Sequence, residues 1–332
     1  MTKKTPAKQD ASDALQPSSA QIIDIVTKKP PEAVLSGFSA AADGYLAAAQ
    51  SESTKLAYAG DIRHFLANGG TIPAIPRQLA EYLTTFAKKH AVATLRRRLV
   101  AIHKAHLEIS HKSPAMDREV KLVMQGIRRT VGTKQRQVRP FVRDVLLDTL
   151  VATDRQKPVK ATRDRALLLV GFAGAFRRAE LVAIRLEHIS HVDAGMEIYL
   201  PVSKTDQEQQ GRIVFIPYAN GERCPVTALA QWLAMAGIEE GYVFRAVSRH
   251  DQIAAEGLTA ASVARIVKAS IKRGGGDAQD FSAHSLRAGY CTQAAMADMP
   301  PWQIKLTTGH KSDATLAKYI RPVSRRKISS LL

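Results

Sequence analysis

A basic segment divides this 332-residue sequence into two halves with different hydrophobic patterns. The segment, GTKQRQVRP at residues 132–140, has almost no apolar side chains and is typical of a linker between domains. Before it, apolar residues recur at helical spacing and no strand pattern appears. After it, helical stretches surround short runs that are typical of strands. The sequence therefore predicts two domains, of which only the second contains a sheet.

The first half is predicted to contain a flexible arm followed by a helical domain. Residues 1–36 are rich in Lys, Ser, Ala and Pro, a composition typical of a flexible basic arm. The sequence leaves the role of this arm open. Within residues 37–131, four stretches show helical periodicity, and Gly69 and Gly70 end the first of them. A four-helix domain is the simplest packing of these stretches.

The charge balance indicates a polyanionic partner. The net charge is +18, and each Lys or Arg that neutralises a phosphate releases counterions. A merely solvated basic surface is the alternative. Residues 86–140 carry fourteen Lys and Arg against three Asp and Glu, which predicts a DNA-contacting surface on this domain. The predicted DNA-contacting residues are Arg96, Arg97, Lys104, Arg128 and Arg129.

The second half, residues 141–332, is predicted to be mainly helical with a small antiparallel β-sheet. The runs MEIYLPVSK and RIVFIPY flank a polar loop and together predict a hairpin. The tract 162–189 predicts a long helix that is capped by Thr162 and broken near Gly174. Several further apolar stretches have helical spacing. The sequence contains no run of about 18 apolar residues, so no membrane span is predicted.

Short polar motifs follow one another along this half, and each alone is a weak signal. On a helix, Glu180 lies within reach of the Arg177 guanidinium, and His284 and Arg287 share a face. Taken one at a time, the motifs also fit ordinary structural roles. The arginines could face solvent, the lysine could lie in a turn, the histidine could be packed and the tyrosine could belong to the core. The candidate catalytic residues are Arg177, Glu180, Lys204, His284, Arg287, His310 and Tyr319.

Together, these residue types suit attack on a phosphodiester. Arginine stays charged and donates bidentately to the oxygens on which charge develops. A lysine can protonate a leaving alkoxide, and an imidazole can assist a tyrosine whose free pKa is about 10. Such chemistry needs no metal. The glycines at 274–276 lack the G-K-[ST] of a nucleotide-binding loop, so no cofactor is expected.

The order and spacing of the motifs resemble the tyrosine recombinase, or phage integrase, family. The resemblance covers about residues 140–322 and rests on RRAEL, the hairpin lysine, HSLRAG, TGH and the following tyrosine. The stretch STKLAYAGDIRHFLANG is similar to the core-binding domain of that family. The sequence departs from the family pattern at Thr308, where Leu is commoner, and at Arg178, a second arginine beside Arg177.

The resemblance implies a role for each candidate that contacts the phosphate. Arg177 and Arg287 clamp the scissile phosphate, and Glu180 supports Arg177. His310 hydrogen-bonds the phosphate or the transition state.

It also implies the proton transfers and the covalent step. His284 acts as general base or proton shuttle, and Lys204 acts as general acid toward the 5′-hydroxyl. Tyr319 attacks to give a 3′-phosphotyrosyl bond. Because that bond conserves the energy of the phosphodiester, strand exchange needs neither ATP nor a metal.

The implied architecture is a two-domain clamp around duplex DNA, made of a helical core-binding domain and a catalytic domain. The implied activity is site-specific recombination by integration, excision or resolution. The expected partner is double-stranded DNA with specific recombination sites. The protein is expected to assemble as a homotetramer, or as a hetero-tetramer with a related recombinase. No membrane partner is expected, and the expected location is the cytoplasm, at the nucleoid.

Several alternatives stay open from the sequence. A type IB topoisomerase-like enzyme shares the nucleophile chemistry, and a catalytically silent DNA-binding protein would need none of it. His103 and His106 lie three apart and can bind a metal, although packing or facing DNA fits them better. The apolar tail at 327–332 can pack on its own domain or on a neighbouring protomer.

Overall fold

A computed structural model describes residues 45, 49–134, 137–201 and 211–326. The chain falls into two compact units that meet in sequence between Arg136 and Gln137, inside the segment proposed as a linker. The predicted arm, Lys204 and the tail at 327–332 lie outside the described residues. No described helix has both the length and the apolar character needed to cross a membrane.

Over the residues that the structure describes, the N-terminal unit contains four α-helices, each lying in a stretch predicted to be helical. Helix α1 packs on α3 and α2 packs on α4. Their apolar faces form a core that includes Phe65, Leu83, Leu95 and Ile102. The helices are α1 (Glu52–Ala67), α2 (Pro76–Phe86), α3 (Val92–Glu108) and α4 (Arg118–Val131).

His106 on α3 is part of this core. Its Nδ1 donates to the Ile102 carbonyl oxygen at 2.7 Å, and its Nε2 accepts from the Ala74 backbone N–H at 2.8 Å. Burial lowers the pKa of His106, which keeps the ring neutral. Since both ring nitrogens are already hydrogen-bonded, this histidine packs and does not bind a metal.

In its described part, the C-terminal unit is mostly helical, with two small antiparallel sheets. The first sheet has the strand order β1-β2-β3 and the second pairs β4 with β5. Its helices are α5 (Arg143–Thr153), α6 (Pro158–Ala173), α7 (Arg178–Val182), α8 (Pro225–Ala236), α9 (Ala260–Arg273), α10 (His284–Met296), α11 (Pro301–Thr308) and α12 (Asp313–Arg326). Its strands are β1 (Ile189–Val192), β2 (Gly195–Leu200), β3 (Arg212–Pro217), β4 (Arg245–Val247) and β5 (Ile253–Gly257).

The predicted hairpin is present as β2 and β3. Its ladder runs from the pair Gly195 and Pro217 to the pair Leu200 and Arg212. Alternate residues of both strands point into the core, as the period of a strand requires. The register therefore places Arg212 at the end of the ladder, paired with Leu200.

The cap predicted for the long helix is wrong. Helix α6 begins at Pro158, and the Thr162 hydroxyl bonds the Pro158 carbonyl oxygen inside the helix. The first turn is instead capped by Asp251, whose two carboxylate oxygens accept from the N–H groups of Val159 and Lys160, each at 2.9 Å. The helix does end at Gly174, where the sequence predicted a break.

Gly289 on α10 allows the helix to approach the chain at Phe141. A Cβ at position 289 would lie 2.1 Å from the Phe141 carbonyl oxygen, which is backbone that cannot move aside easily. The Phe141 N–H donates to the Ser285 carbonyl oxygen at 2.9 Å, which holds the two segments together. This close contact fixes the helix that carries His284 and Arg287.

Gly289→Ala is therefore expected to lower the free energy of unfolding by about 1–3 kcal/mol, because it overpacks this contact. Gly60→Ala in the middle of α1 is the matched control, since a Cβ there meets nothing within 4 Å. It should raise stability by about 0.5–1 kcal/mol through helix propensity. Urea unfolding followed by circular dichroism measures both, and effects of the same sign would contradict the packing argument.

Candidate active site

Six of the seven candidate catalytic residues come together in the C-terminal unit. Lys204, the seventh, lies outside the described residues. The residues come from three places: the start of α7, the first turns of α10, and the turn and helix that follow α11. They are Arg177 and Glu180, His284 and Arg287, and His310 and Tyr319.

Tyr319 lies on α12 with its ring partly buried. Its hydroxyl is 2.7 Å from His284 Nε2, and its ring centroid is 6.0 Å from that of His310. On its apolar side the ring packs on a small cluster of Cys291, Ala294, Ile304 and Leu316. This packing fixes the ring, and the hydroxyl points toward the imidazole.

The two members of this hydrogen bond have pKa values shifted in opposite directions. Burial raises the pKa of Tyr319, partly opposed by the positive charges of Arg287 and Arg177. Loss of water around His284 lowers its pKa, and the same two guanidinium groups lower it further. At neutral pH the phenol therefore keeps its proton and the imidazole is uncharged. A neutral imidazole nitrogen can accept that proton when the hydroxyl reacts.

Arg177 is held by Glu180 through two contacts. Its backbone N–H donates to Glu180 Oε2 at 2.9 Å, and its Nη1 donates to Oε1 at 2.5 Å. Arg177 precedes the first residue of α7, so Glu180 occupies the third helical position and reaches back to it. Arg178 is exposed to solvent. The helix start thus turns Arg177 toward the site and Arg178 away from it.

Arg287 is almost entirely buried, with 1% of its surface exposed. Its Nη1 donates to the carbonyl oxygen of Ala175 at 2.8 Å. Ala175 itself has a left-handed backbone conformation, with φ 49°. Its Nη2 is buried and has no hydrogen-bond partner among the described residues. Burial lowers the pKa of Arg287 to about 10, so it stays charged at neutral pH. A buried cationic donor left unpaired is costly, and an anionic oxygen would satisfy it.

His310 follows the left-handed Gly309 that ends α11. Its Nδ1 is 2.8 Å from Thr308 Oγ1, which itself donates to the Ile304 carbonyl oxygen at 2.7 Å. Because the hydroxyl proton is used there, Nδ1 carries the imidazole proton and Nε2 is left as an acceptor. Burial, followed by the nearby arginine charges, lowers the pKa of His310 to about 3. Thr308, one of the departures from the family pattern, thus fixes the tautomer of this ring.

Arg212 also belongs to the site, although the sequence did not indicate it. Its Nη2 donates to Glu180 Oε2 at 3.2 Å, and its Nη1 donates to the Thr307 carbonyl oxygen at 2.6 Å. In the sequence, Arg212 is only the first residue of a strand-like run. No spacing relation connects it to the other motifs, so only the fold shows its position.

The predicted DNA-contacting residues lie on α3 and α4 of the N-terminal unit. Arg96, Arg128 and Arg129 are exposed. Arg97 is half exposed and makes two hydrogen bonds to the Asp61 carboxylate, at 2.7 and 3.0 Å. The last of the five, Lys104, is partly buried, and its Nζ lies 5.3 Å from the centroid of the Tyr58 ring. Arg96, Arg128 and Arg129 are therefore more available to a phosphate than the other two.

Comparison with known proteins identifies the family of this chain. The family model described as the phage integrase family matches residues 140–326, which include all six described catalytic candidates. The chain belongs to the phage integrase family. It is a site-specific DNA recombinase of the tyrosine type. No finding favours the topoisomerase-like or the catalytically silent alternative.

Two relatives cover most of the chain. An integrase/recombinase described as a xerD homolog, from Selenomonas ruminantium, is 37% identical over 253 residues, which are 75% of this chain and 74% of that protein. The recombinase cre of Escherichia phage P1 is 26% identical over 282 residues, 77% of this chain and 78% of that protein.

Solved structures share the fold of this recombinase. The XerH site-specific recombinase in a post-cleavage complex with difH substrate matches with a TM-score of 0.64, at 15% identity, over 93% of this chain and 92% of that chain. A lambda integrase dimer bound to a COC′ core site matches with a TM-score of 0.59, at 17% identity, over 94% of this chain and 79% of that chain.

Proposed function

We propose that this recombinase cleaves one DNA strand by attack of the Tyr319 hydroxyl on the scissile phosphate. The observation that carries the proposal is the 2.7 Å contact between Tyr319 and His284 Nε2, beside the guanidinium groups of Arg177 and Arg287. The arrangement provides a nucleophile, a neutral base and positive charge for a phosphate in one place.

The step balances without an added reactant. The Tyr319 oxygen forms a bond to phosphorus, and its proton passes to His284. The bond from phosphorus to the 5′-oxygen breaks, and Lys204 supplies the proton that this oxygen takes. Attack by the 5′-hydroxyl of a partner strand on the phosphotyrosine reverses the reaction and completes the exchange.

Three further residues act on the phosphate during this step. Arg177, held by Glu180, and Arg287 each donate to the non-bridging oxygens. His310 is neutral in the free site, and the negative charge of a bound phosphate favours a proton on its Nε2. In that form the ring donates to the phosphate while Nδ1 stays on Thr308.

The proposal includes the partner and the assembly. Residues 37–131 act as the core-binding domain, with exposed arginines on α3 and α4 tracking the DNA backbone, and 141–332 act as the catalytic domain. The two form a clamp on duplex DNA at the nucleoid. Four protomers assemble on paired recombination sites. They are either four copies of this chain or a mixture of this chain with a related recombinase. Support comes from a structural neighbour, described as a lambda integrase tetramer bound to a Holliday junction.

A covalent-trapping experiment tests the chemistry. The purified protein is incubated, with chelator and without ATP, with nicked duplexes cut from the DNA that surrounds its gene. An SDS-resistant adduct should form, and mass spectrometry of the digested adduct should locate the nucleotide on Tyr319. An adduct on another residue, or specific binding with no adduct at any fragment, would overturn the proposal.

The rate of cleavage should depend on pH through His284. Its lowered pKa means that the ring stays neutral as pH falls through the ordinary value of 6.5, and gains a proton only below it. We expect a cleavage rate that is flat around neutrality and falls on the acid side of that value. Rates at subsaturating DNA between about pH 5 and 8 report the free protein. His284→Gln should be slower and should lack this acid limb, and an unchanged limb in the variant would exclude His284 as the base.

A further inference from the structure

We infer that Arg212 is a positioning residue that holds Glu180, and through it Arg177, in the orientation that binds the phosphate. The inference rests on the function proposed above and adds a residue to that site. Arg212 comes from strand β3, whereas Glu180 and Arg177 come from the start of α7. The contact therefore joins the sheet to the arginine clamp.

A single buried carboxylate serves both arginines. Glu180 Oε1 accepts from Arg177, and Oε2 accepts both from the Arg177 backbone and from Arg212 Nη2. Only 3% of the Glu180 side chain is exposed, so water cannot replace a missing donor. Arg177 binds both carboxylate oxygens from the start of α7, and Arg212 adds a donor to Oε2 from strand β3. Without Arg212, the carboxylate would lose this link to the sheet.

The second anchor of Arg212 is the end of α11 and the turn at Gly309, which lead to His310. Its Nη1 donates to the Thr307 carbonyl oxygen at 2.6 Å, three residues before His310. Gly309 has φ +63°, and a Cβ there would lie 2.9 Å from Arg212 Nε. The guanidinium thus packs directly on this turn. One side chain connects the RRAEL motif to the TGH motif.

The Arg212 guanidinium is largely buried, and removing its charge from water costs free energy that its contacts must offset. Desolvation lowers the pKa of Arg212, and the charge of Arg177 lowers it further, whereas Glu180 raises it. Its Nε is buried and unpaired among the residues that the structure describes. A guanidinium kept here against burial and a like charge is better explained by a role at the site than by stability.

Arg212→Met tests the inference, with Arg165→Met as its matched control. Arg165 has nearly the same exposure, 15% against 17% for Arg212, and likewise bridges a carboxylate and a backbone carbonyl, those of Asp154 and Glu222. We expect Arg212→Met to slow single-turnover cleavage at saturating DNA by about 100-fold, because a displaced clamp misaligns the phosphate. DNA affinity should not change. Arg165→Met should cleave like the wild type.

Two further measurements separate positioning from a general loss of structure. Arg212→Lys keeps one charge and one contact, and should recover part of the rate. A methylphosphonate at the cleavage position is uncharged and needs less help from Arg177, so the defect of Arg212→Met should shrink on it. A structural defect would persist on both linkages.

The outcomes also separate this inference from the proposed function. If the wild type forms no Tyr319 adduct, the function and this assignment fall together. If the wild type forms it and Arg212→Met cleaves at the same rate, only the assignment is wrong. Equal losses in Arg212→Met and Arg165→Met, or an unchanged defect on the methylphosphonate, would likewise overturn it.

Discussion

Tyr319→Phe is expected to abolish the covalent adduct while leaving DNA binding unchanged. The substitution removes one oxygen, the atom that lies 2.7 Å from His284 Nε2. The rest of the ring stays packed on the Leu316 cluster, so the fold and the DNA-binding surfaces are kept. Without the hydroxyl no bond to phosphorus can form, and the loss should be complete. Gel shift and SDS-resistant complex formation on the same duplex measure the two properties.

Tyr290→Phe is the control, because it removes a hydroxyl from another tyrosine that packs on the same cluster. Tyr290 is also partly buried, packs on the same cluster as Tyr319, and donates its hydroxyl to Thr307 Oγ1 at 2.9 Å. Its substitution should leave the adduct intact. An adduct that survives in Tyr319→Phe, or that disappears in Tyr290→Phe alone, would identify a different nucleophile.

Arg287→Met is expected to lose activity without losing stability. Removing a donor aimed at developing charge slows catalysis by about 100- to 1,000-fold. The folded protein, however, keeps this cation buried with an unpaired Nη2 and beside the like charges of Arg177 and Arg212. An apolar side chain of similar length removes that cost, so the free energy of unfolding should stay the same or rise by about 1 kcal/mol.

Arg163→Met shows the opposite behaviour and serves as the comparison. Arg163 is equally buried but donates to the Asp164 carboxylate at 2.6 Å and to the Arg245 carbonyl oxygen at 3.1 Å. Its loss leaves the buried Asp164 carboxylate without a cation, although Gln156 Nε2 still donates to it at 2.9 Å. This should cost about 3–5 kcal/mol, with the rate per folded molecule unchanged. Urea unfolding and single-turnover cleavage measure both effects. A large stability loss in Arg287→Met would mean that its role is structural.

The sequence predicted those parts of the site that local spacing encodes. Residues three apart are neighbours in a helical turn. Arg177 and Glu180 lie at the start of α7, and His284 and Arg287 lie in α10. The β2–β3 hairpin was also predictable, because strand-like runs flank a polar loop. Assembly of these motifs into one site came from resemblance to a family, since spacing alone gives no distance between separate elements.

Features that depend on contacts between distant segments were not predictable. Arg212 enters the site through the pairing of β3 with β2, and its own neighbours in sequence give no sign of it. Asp251 caps α6 from a turn more than 90 residues away in the chain, so Thr162 looked like the better cap from the sequence. Strands β1, β4 and β5 were missed, because runs of three to five residues with mixed burial lack the alternation that marks a strand.

The buried guanidinium at position 287 also bears on how this chain can evolve. Under the proposed function, its phosphate-binding geometry is set when the protein folds, so little water or side-chain movement is needed when DNA arrives. A buried guanidinium with an unpaired Nη2 has a desolvation cost that the rest of the fold must offset. Selection for heat resistance alone would therefore be expected to replace Arg287 early, and only selection for strand exchange would keep it.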